Sequence, residues 1–393
     1  MKNIVLTTAF LALFALEILR IYFIMPFPGS QQANTVELAF WLHNHIFWLR
    51  IGLLLVIVIP LWLVFRARNE VTKMVFALVL ALYAVLYFMA NHKLQADDMF
   101  KKLDHKYFAT TVSNKVKLNK IVIGVNLNGE AKAYPLQQIG YHHQILDTVG
   151  GVPVMVTYCT VCRSGRVFSP KVNGKSEVFR LVGMDHFNAL FEDATTKSWW
   201  QQATGTAVAG KLKGTKLKEI PVEQTTLGTW LSKYPTAYVL QENKIFKDEY
   251  KDLELYDKGT VKSDLEKRDS LSWKPKSWVV GIKHKNISKA YDWNLLTKKR
   301  IIEDSLLDLK LVLTLEKDRI NYKVFNRVLN ARTLNFELSG NNYMLDKQTK
   351  SLWNNNGLCV KGPLMGQQLK TVQAYQEFWH SWKQFNPDTQ IFK

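Results

Sequence analysis

The sequence predicts N-terminal transmembrane helices followed by a β-rich α+β region built from two tandem pseudo-repeats. Three observations support this fold class: apolar runs fill the first 92 residues, short β-branched runs alternate with turn signals after residue 120, and residues 124–183 align without a gap on residues 281–340. The predicted organisation is three spans in 1–92, a connector in 93–120, a first repeat in 121–240, a charged connector in 241–275 and a degenerate second repeat in 276–393.

The N-terminal segment contains three apolar runs, at Ile4–Met25, Ala39–Phe65 and Val71–Ala90. Each is long enough to cross a hydrocarbon core of about 30 Å at about 1.5 Å per residue. The first run is long and has no convincing small-residue cleavage site after it, so we interpret it as a span and not as a signal peptide. Membrane lipid is therefore a predicted partner of this segment.

The distribution of basic residues predicts the orientation of the spans. The loop between the second and third runs contains Arg66, Arg68 and Lys73, whereas the stretch after the first run has no Lys or Arg before Arg50. Positively charged loops stay in the cytoplasm. We therefore expect an inner (cytoplasmic) membrane protein with a cytoplasmic N-terminus, and with everything after about residue 92 outside the cytoplasm.

The formal net charge is +19, and most of it lies outside the first 92 residues. A solvated lysine-rich surface is the simplest interpretation. The sequence contains no recognisable nucleic-acid motif and begins with membrane spans, so we expect no nucleic-acid partner. It does not identify a protein partner. Three cysteines are too few for a disulfide scaffold, so the folded region depends on ordinary apolar cores.

The two repeats share scaffold residues. Lys132–Tyr134 falls on Lys289–Tyr291 at the constant offset, and Trp230 falls on Trp382 after a small shift. Five residues capable of soft-metal or redox chemistry occur only in the first repeat. Cys159 and Cys162 are replaced by Glu316 and Arg319, His142-His143 by Lys299-Arg300, and the neighbourhood of His186 corresponds to a four-residue deletion. The comparison separates residues needed for the fold from residues available for chemistry.

The predicted site therefore contains Cys159, Cys162, His142, His143 and His186. A strand that ends in Cys-x-x-Cys places two sulfurs on one turn, and a strand-turn-strand path can return a histidine to them. Thiolates with imidazoles bind a transition metal, and copper or zinc suits them best. Neighbouring residues on a strand point to opposite faces, so only one of His142 and His143 need reach the thiols.

Two other functions remain open from the sequence. Cys159 and Cys162 can perform thiol–disulfide exchange, in which Cys159 attacks and Cys162 resolves the mixed disulfide. The two cysteines can also form a structural disulfide in a non-enzymatic envelope scaffold. The sequence does not decide whether the protein is an enzyme, because an open coordination position cannot be read from it.

The region around the cysteines resembles a known family. From Gly150 to Gly165 the chain reads Gly-Gly-Val-Pro-Val-Met-Val-Thr-Tyr-Cys-Thr-Val-Cys-Arg-Ser-Gly, which is similar to the Pro-Val-x-Val-Thr-Tyr-Cys-x-x-Cys pattern of domain-of-unknown-function family 3179. Tyr141-His142-His143 stands where that family has Trp-His-Glu, so His142 matches and His143 departs. The resemblance covers about residues 120–240, with 276–390 as a degenerate copy, and implies no activity.

Overall fold

A computed structural model describes residues 2–340 and 342–393. Its helices, in chain order, are α1 (Lys2–Tyr22), α2 (Val36–Arg66), α3 (Glu70–His92), α4 (Ala96–Met99), α5 (Leu136–His142), α6 (Leu227–Lys233), α7 (Lys247–Asp252), α8 (Trp293–Lys299) and α9 (Trp379–Phe385). The first three match the predicted apolar runs and are long and apolar enough to cross a membrane. The prediction of N-terminal helices followed by a β-rich α+β region is confirmed at this level.

The strands before residue 241 are β1 (Phe108–Ala109), β2 (Ile121–Leu127), β3 (Glu130–Pro135), β4 (Gln144–Val149), β5 (Val152–Cys159), β6 (Ser164–Phe168), β7 (Lys171–Val172), β8 (Lys175–Ser176), β9 (Phe179–Asp185), β10 (Asn188–Asp193), β11 (Trp199–Gln201), β12 (Ala207–Ala209), β13 (Glu223–Thr226) and β14 (Tyr238–Leu240).

The later strands are β15 (Trp278–His284), β16 (Ile287–Asp292), β17 (Ile301–Leu306), β18 (Leu309–Leu315), β19 (Tyr322–Asn326), β20 (Val328–Leu329), β21 (Arg332–Thr333), β22 (Phe336–Ser339), β23 (Tyr343–Asp346), β24 (Leu352–Asn354), β25 (Cys359–Lys361), β26 (Lys370–Thr371), β27 (Ala374–Phe378) and β28 (Gln390–Ile391).

The chain forms two units, and the predicted first repeat is divided between them. One unit comprises residues 2–102 and 177–216, and the other comprises 103–176 and 217–393. The division arises because the four-stranded sheet β12-β11-β10-β9 packs with the N-terminal helices. Trp199 and Leu190 from this sheet share an apolar core with Ile21 and Ile24, and the Met184 amide donates to the Ile24 carbonyl over 2.9 Å.

The three long helices are joined by a polar network. Arg50 of α2 donates to both carboxylate oxygens of Glu17 on α1, over 2.5 and 2.7 Å, and Glu17 is fully buried. Asn91 of α3 accepts from Arg50 over 3.0 Å and from Arg20 over 2.5 Å. Charges within a bundle of apolar helices are costly unless they are paired, and here the pairing links all three helices.

Two sheets of the second unit have strands paired in the same order. In one sheet β13 and β3 flank β2 in antiparallel pairs and β14 runs parallel to β3, and in another β27 and β16 flank β15 while β28 runs parallel to β16. A short helix, α5 or α8, then leads into the antiparallel strands β4-β5-β6 or β17-β18-β19. Both helices end in a left-handed residue, His143 or Arg300, each with φ of 59°.

One packing contact recurs in the two halves. A Cβ built on Gly124 of β2 would lie 2.3 Å from the ring of Trp230, and one built on Gly281 of β15 would lie 2.3 Å from the ring of Trp382. Both indoles are buried, so each fills the space that a side chain on the facing strand would occupy. The glycines are therefore needed for close approach and not for an unusual φ.

Candidate functional site

The Cys-x-x-Cys turn connects β5 to β6. β5 is the central strand of its sheet, paired with β4 on one side and with β6 on the other, and this explains its almost continuous apolar sequence. Cys159 is the last residue of β5, opposite Ser164. The Arg163 amide closes the turn by donating to the Thr160 carbonyl over 3.2 Å, and Arg163 has a left-handed φ of 54°. Cys159 and Cys162 are 1% and 0% exposed, so neither thiol is at the surface.

The register of the sheet brings the histidine pair to the cysteine end of β5. His142 ends α5, His143 is its left-handed cap, and β4 begins at the next residue. Because β4 runs antiparallel to β5, the His143 carbonyl accepts from the Tyr158 amide over 3.0 Å, one residue before Cys159. The predicted strand-turn-strand path therefore exists.

The two imidazoles have different neighbours. His142 Nε2 lies 2.7 Å from the Tyr250 hydroxyl, within an aromatic group that includes Phe246. His143 Nδ1 lies 3.1 Å from the Tyr141 carbonyl. Burial lowers the pKa of His143 from 6.5 to about 4, so its imidazole is neutral at pH 7.

Replacing His143 with asparagine should reduce the acid sensitivity of the fold. The pKa of His143 is about 4 when folded and 6.5 when unfolded, so the folded state binds fewer protons and its stability falls as pH drops from 6.5 towards 4. The free energy of unfolding therefore falls by about 2 kcal/mol between pH 7 and pH 5. Asparagine tolerates the left-handed backbone. Denaturation midpoints measured at both pH values should differ less in His143→Asn than in the parent protein, whereas the same substitution at the exposed His105 should leave the difference unchanged.

The second half of the unit supplies groups that hold the turn. The Val161 carbonyl, between the two cysteines, accepts from Lys276 Nζ over 2.8 Å and lies 3.1 Å from His380 Nε2. The Phe378 amide donates to the Cys162 carbonyl over 3.0 Å. Burial lowers the pKa of the Lys276 ammonium, and negative charge at Cys162 and then at Cys159 opposes that shift.

The residues around the turn are also buried and mostly paired. The Tyr256 hydroxyl donates to the Thr160 carbonyl over 2.8 Å, and the Thr160 hydroxyl donates to Glu266. Arg163 places its guanidinium 3.9 Å from the centre of the Trp278 ring and donates from Nε to Gln376 over 3.1 Å. The turn therefore has a defined backbone position inside the protein.

His186 lies in the other unit, in the turn between β9 and β10. Its Nδ1 is 2.7 Å from Asp185 Oδ1, and this hydrogen bond raises the pKa of His186.

Within residues 2–340 and 342–393, no three His, Cys, Asp or Glu side chains form a group able to hold a metal ion. No disulfide joins the cysteines in this part of the chain.

Sequence reasoning missed several residues at the turn. Lys276 and His380 belong to the half of the chain that lacks the Cys-x-x-Cys turn, and no motif marks them. Tyr250 and Tyr256 lie in residues 241–275, which the charge pattern suggested to be a connector or an exposed excursion, yet each is 1% exposed. The two isolated tyrosines among charged residues were the available signal.

The comparisons with known proteins agree with the sequence resemblance. The family model described as "Protein of unknown function (DUF3179)" matches residues 98–389. The chain belongs to the DUF3179 family. The match includes the Cys-x-x-Cys turn as well as Lys276 and His380. Neither a curated protein nor a solved structure matches this DUF3179 chain.

Proposed function

We propose that this DUF3179 protein binds a Cu(I) ion through Cys159 and Cys162. The observation that carries the proposal is the buried turn on which both thiols lie, with the Lys276 ammonium beside it. Thiolates are soft ligands that favour Cu(I), zinc and iron–sulfur clusters over hard cations. Binding requires their deprotonation, which a nearby cation favours.

The ligand chemistry favours copper over zinc. Structural zinc takes four ligands, whereas Cu(I) is stable with two thiolates. His142 and His143 lie beside the end of the cysteine strand, where His142 Nε2 faces Tyr250 and His143 Nδ1 faces the Tyr141 carbonyl. In metal-binding histidines one ring nitrogen commonly makes such a hydrogen bond while the other binds the metal. We assign the metal to the two cysteines because two thiolates suffice for Cu(I), and we give His142 and His143 a supporting role at the strand end. His186 bonds Asp185 in the other unit, so we leave it out of the metal site.

Thiol–disulfide exchange is the second candidate. The same ammonium would favour the thiolate that exchange requires. Burial of both cysteines opposes it, because a partner disulfide must reach a sulfur along the bond being broken. A single ion needs a much smaller opening than a second protein does.

We further propose that the soluble region lies outside the cytoplasm and that its two halves arose by duplication. Three basic residues support the orientation: Arg66 ends α2, Arg68 lies in the loop and Lys73 is in the first turn of α3. The repeated order of elements and the two Gly–Trp contacts support the duplication. On this proposal the second copy lost the counterparts of Cys159 and Cys162 and now supports the turn of the first.

Substitution of either turn cysteine should abolish Cu(I) binding. The parent protein in detergent, kept anaerobic with a reductant, is expected to take one Cu(I) from a chromophoric chelator, and Cys159→Ser and Cys162→Ser should take none. Cys359→Ser is the matched control, because Cys359 is equally buried but lies in the other half. A parent protein that leaves the chelator loaded would contradict the proposal. Rapid exchange with a model dithiol would then favour the second candidate.

A further inference from the structure

The charged side chain of Lys276 forms a hydrogen bond with the carbonyl of Val161, which lies between the two cysteines in the sequence. It comes from the segment just before β15, more than a hundred residues after the turn, and its Nζ donates to Val161 over 2.8 Å. A second donation, to the Leu265 carbonyl, fixes the ammonium from the other side. A flexible lysine on a surface would not be held by two backbone acceptors.

The charge of a two-thiolate Cu(I) complex requires compensation. Two thiolates carry two negative charges and Cu(I) carries one positive charge, so the complex is left with a net charge of about minus one. Burying an uncompensated charge is costly, and a fixed charge of opposite sign offsets the cost. Lys276 Nζ donates over 2.8 Å to the Val161 carbonyl, between the two cysteines, so its charge lies next to the turn that carries both sulfurs.

Three other ionisable side chains near the turn are less suited than Lys276 to neutralise the negative charge of the complex. Arg163 follows Cys162, but its guanidinium is stacked on Trp278 and bonded to Gln376. His380 touches the same carbonyl as Lys276 at 3.1 Å, but burial lowers its pKa to about 4 and leaves it neutral at pH 7. Glu266 bonds the Thr160 hydroxyl and adds negative charge, which increases the need for a cation.

We propose that Lys276 is a positioning residue that holds the Cys159–Cys162 turn by its hydrogen bond to Val161 and supplies the counter-charge of the bound Cu(I)–thiolate complex. The inference rests on the proposed function and extends it. It also assigns a role to the half of the chain that lacks the Cys-x-x-Cys turn, because that half contributes the cation.

Charge and hydrogen bonding can be separated with two variants of Lys276. Lys276→Gln keeps a donor and removes the charge, whereas Lys276→Arg keeps both. Competition with the chromophoric chelator should give an affinity for Cu(I) at least about tenfold weaker for Lys276→Gln, since one nearby unit charge at reduced dielectric exceeds that factor. Lys276→Arg should stay within about threefold of the parent protein.

The matched control is Lys383→Gln, which removes one positive charge from α9 in the same unit. It should leave the affinity unchanged. Equal affinity of Lys276→Gln and the parent, or an equal loss in Lys383→Gln, would overturn the role of Lys276.

Failure of the proposed role of Lys276 can be distinguished from failure of the proposed Cu(I) binding. The ultraviolet absorbance of the thiolates, measured without metal at fixed pH in a Cys359→Ser background, should be lower in Lys276→Gln and restored in Lys276→Arg. If the parent protein binds no Cu(I), the proposed function fails, and with it the counter-charge role for a copper complex. The absorbance then still decides whether Lys276 stabilises negative charge on the two sulfurs, and unchanged absorbance would refute the electrostatic contact itself.

Discussion

Glu377→Ala should destabilise the second unit by about 3 kcal/mol. Glu377 of β27 forms an ion pair with Arg166 of β6, and the two residues are 1% and 3% exposed. Removing one member of a buried pair leaves the other charge uncompensated, which costs about 3–5 kcal/mol. Glu219 lies 3.6 Å from Arg166 and is partly exposed, so we expect the lower end of that range. Chemical denaturation in detergent, followed by tryptophan fluorescence, measures the loss.

The control for this prediction is the surface pair of Asp248 and Lys251, both exposed on α7. Asp248→Ala should leave the denaturation midpoint unchanged, because exposed ion pairs contribute little. A double variant with apolar residues at Arg166 and Glu377 should recover much of the stability lost in Glu377→Ala, because no buried charge then remains unpaired. If Glu377→Ala unfolds at the parent midpoint, the ion pair does not contribute to the fold.

Gly124→Ala should destabilise the same unit by about 3 kcal/mol. The new methyl group would lie 2.3 Å from Cε3 and Cζ3 of Trp230, far inside van der Waals contact. Trp230 is 1% exposed and its ring cannot rotate into solvent, so β2 and α6 must move apart. Overpacking a core in this way costs about 1–3 kcal/mol, and a rigid indole places the cost at the upper end. The denaturation midpoint again provides the measurement.

The clash itself can be tested by removing the indole. In a Trp230→Leu background, Gly124→Ala should cost much less, because the smaller side chain leaves room for the methyl group. The corresponding pair, Gly281 and Trp382, should behave in the same way. An equal penalty in both backgrounds would assign the loss to the backbone of β2 and not to the ring.

Much of the local structure was predictable from the sequence. The apolar runs give α1, α2 and α3 within a few residues, because a run long enough to span a bilayer has few other stable conformations. The β-branched run before Cys159 gives β5. These features depend on residues close to one another in the chain.

Long-range packing was not predictable in the same way. Residues 177–216 belong with the N-terminal helices because Trp199 and Leu190 find apolar partners there, and nothing within that segment indicates those partners. The placement of Tyr250 and Tyr256 against His142 and Thr160 likewise depends on segments about one hundred residues apart. Hydrophobic burial is not directional, so composition alone does not select the partner surface.

The sequence by itself determined the three long apolar helices, the strand that ends in Cys159, the turn that contains Cys162 and membership of the DUF3179 family. Each of these follows from a contiguous pattern of residues. The tertiary structure decided which groups surround the turn: Lys276 and His380 reach Val161 from the other half, whereas His186 bonds Asp185 in a separate unit. Such contacts arise only when distant strands pack, because they depend on sheet register and buried surface and not on spacing along the chain.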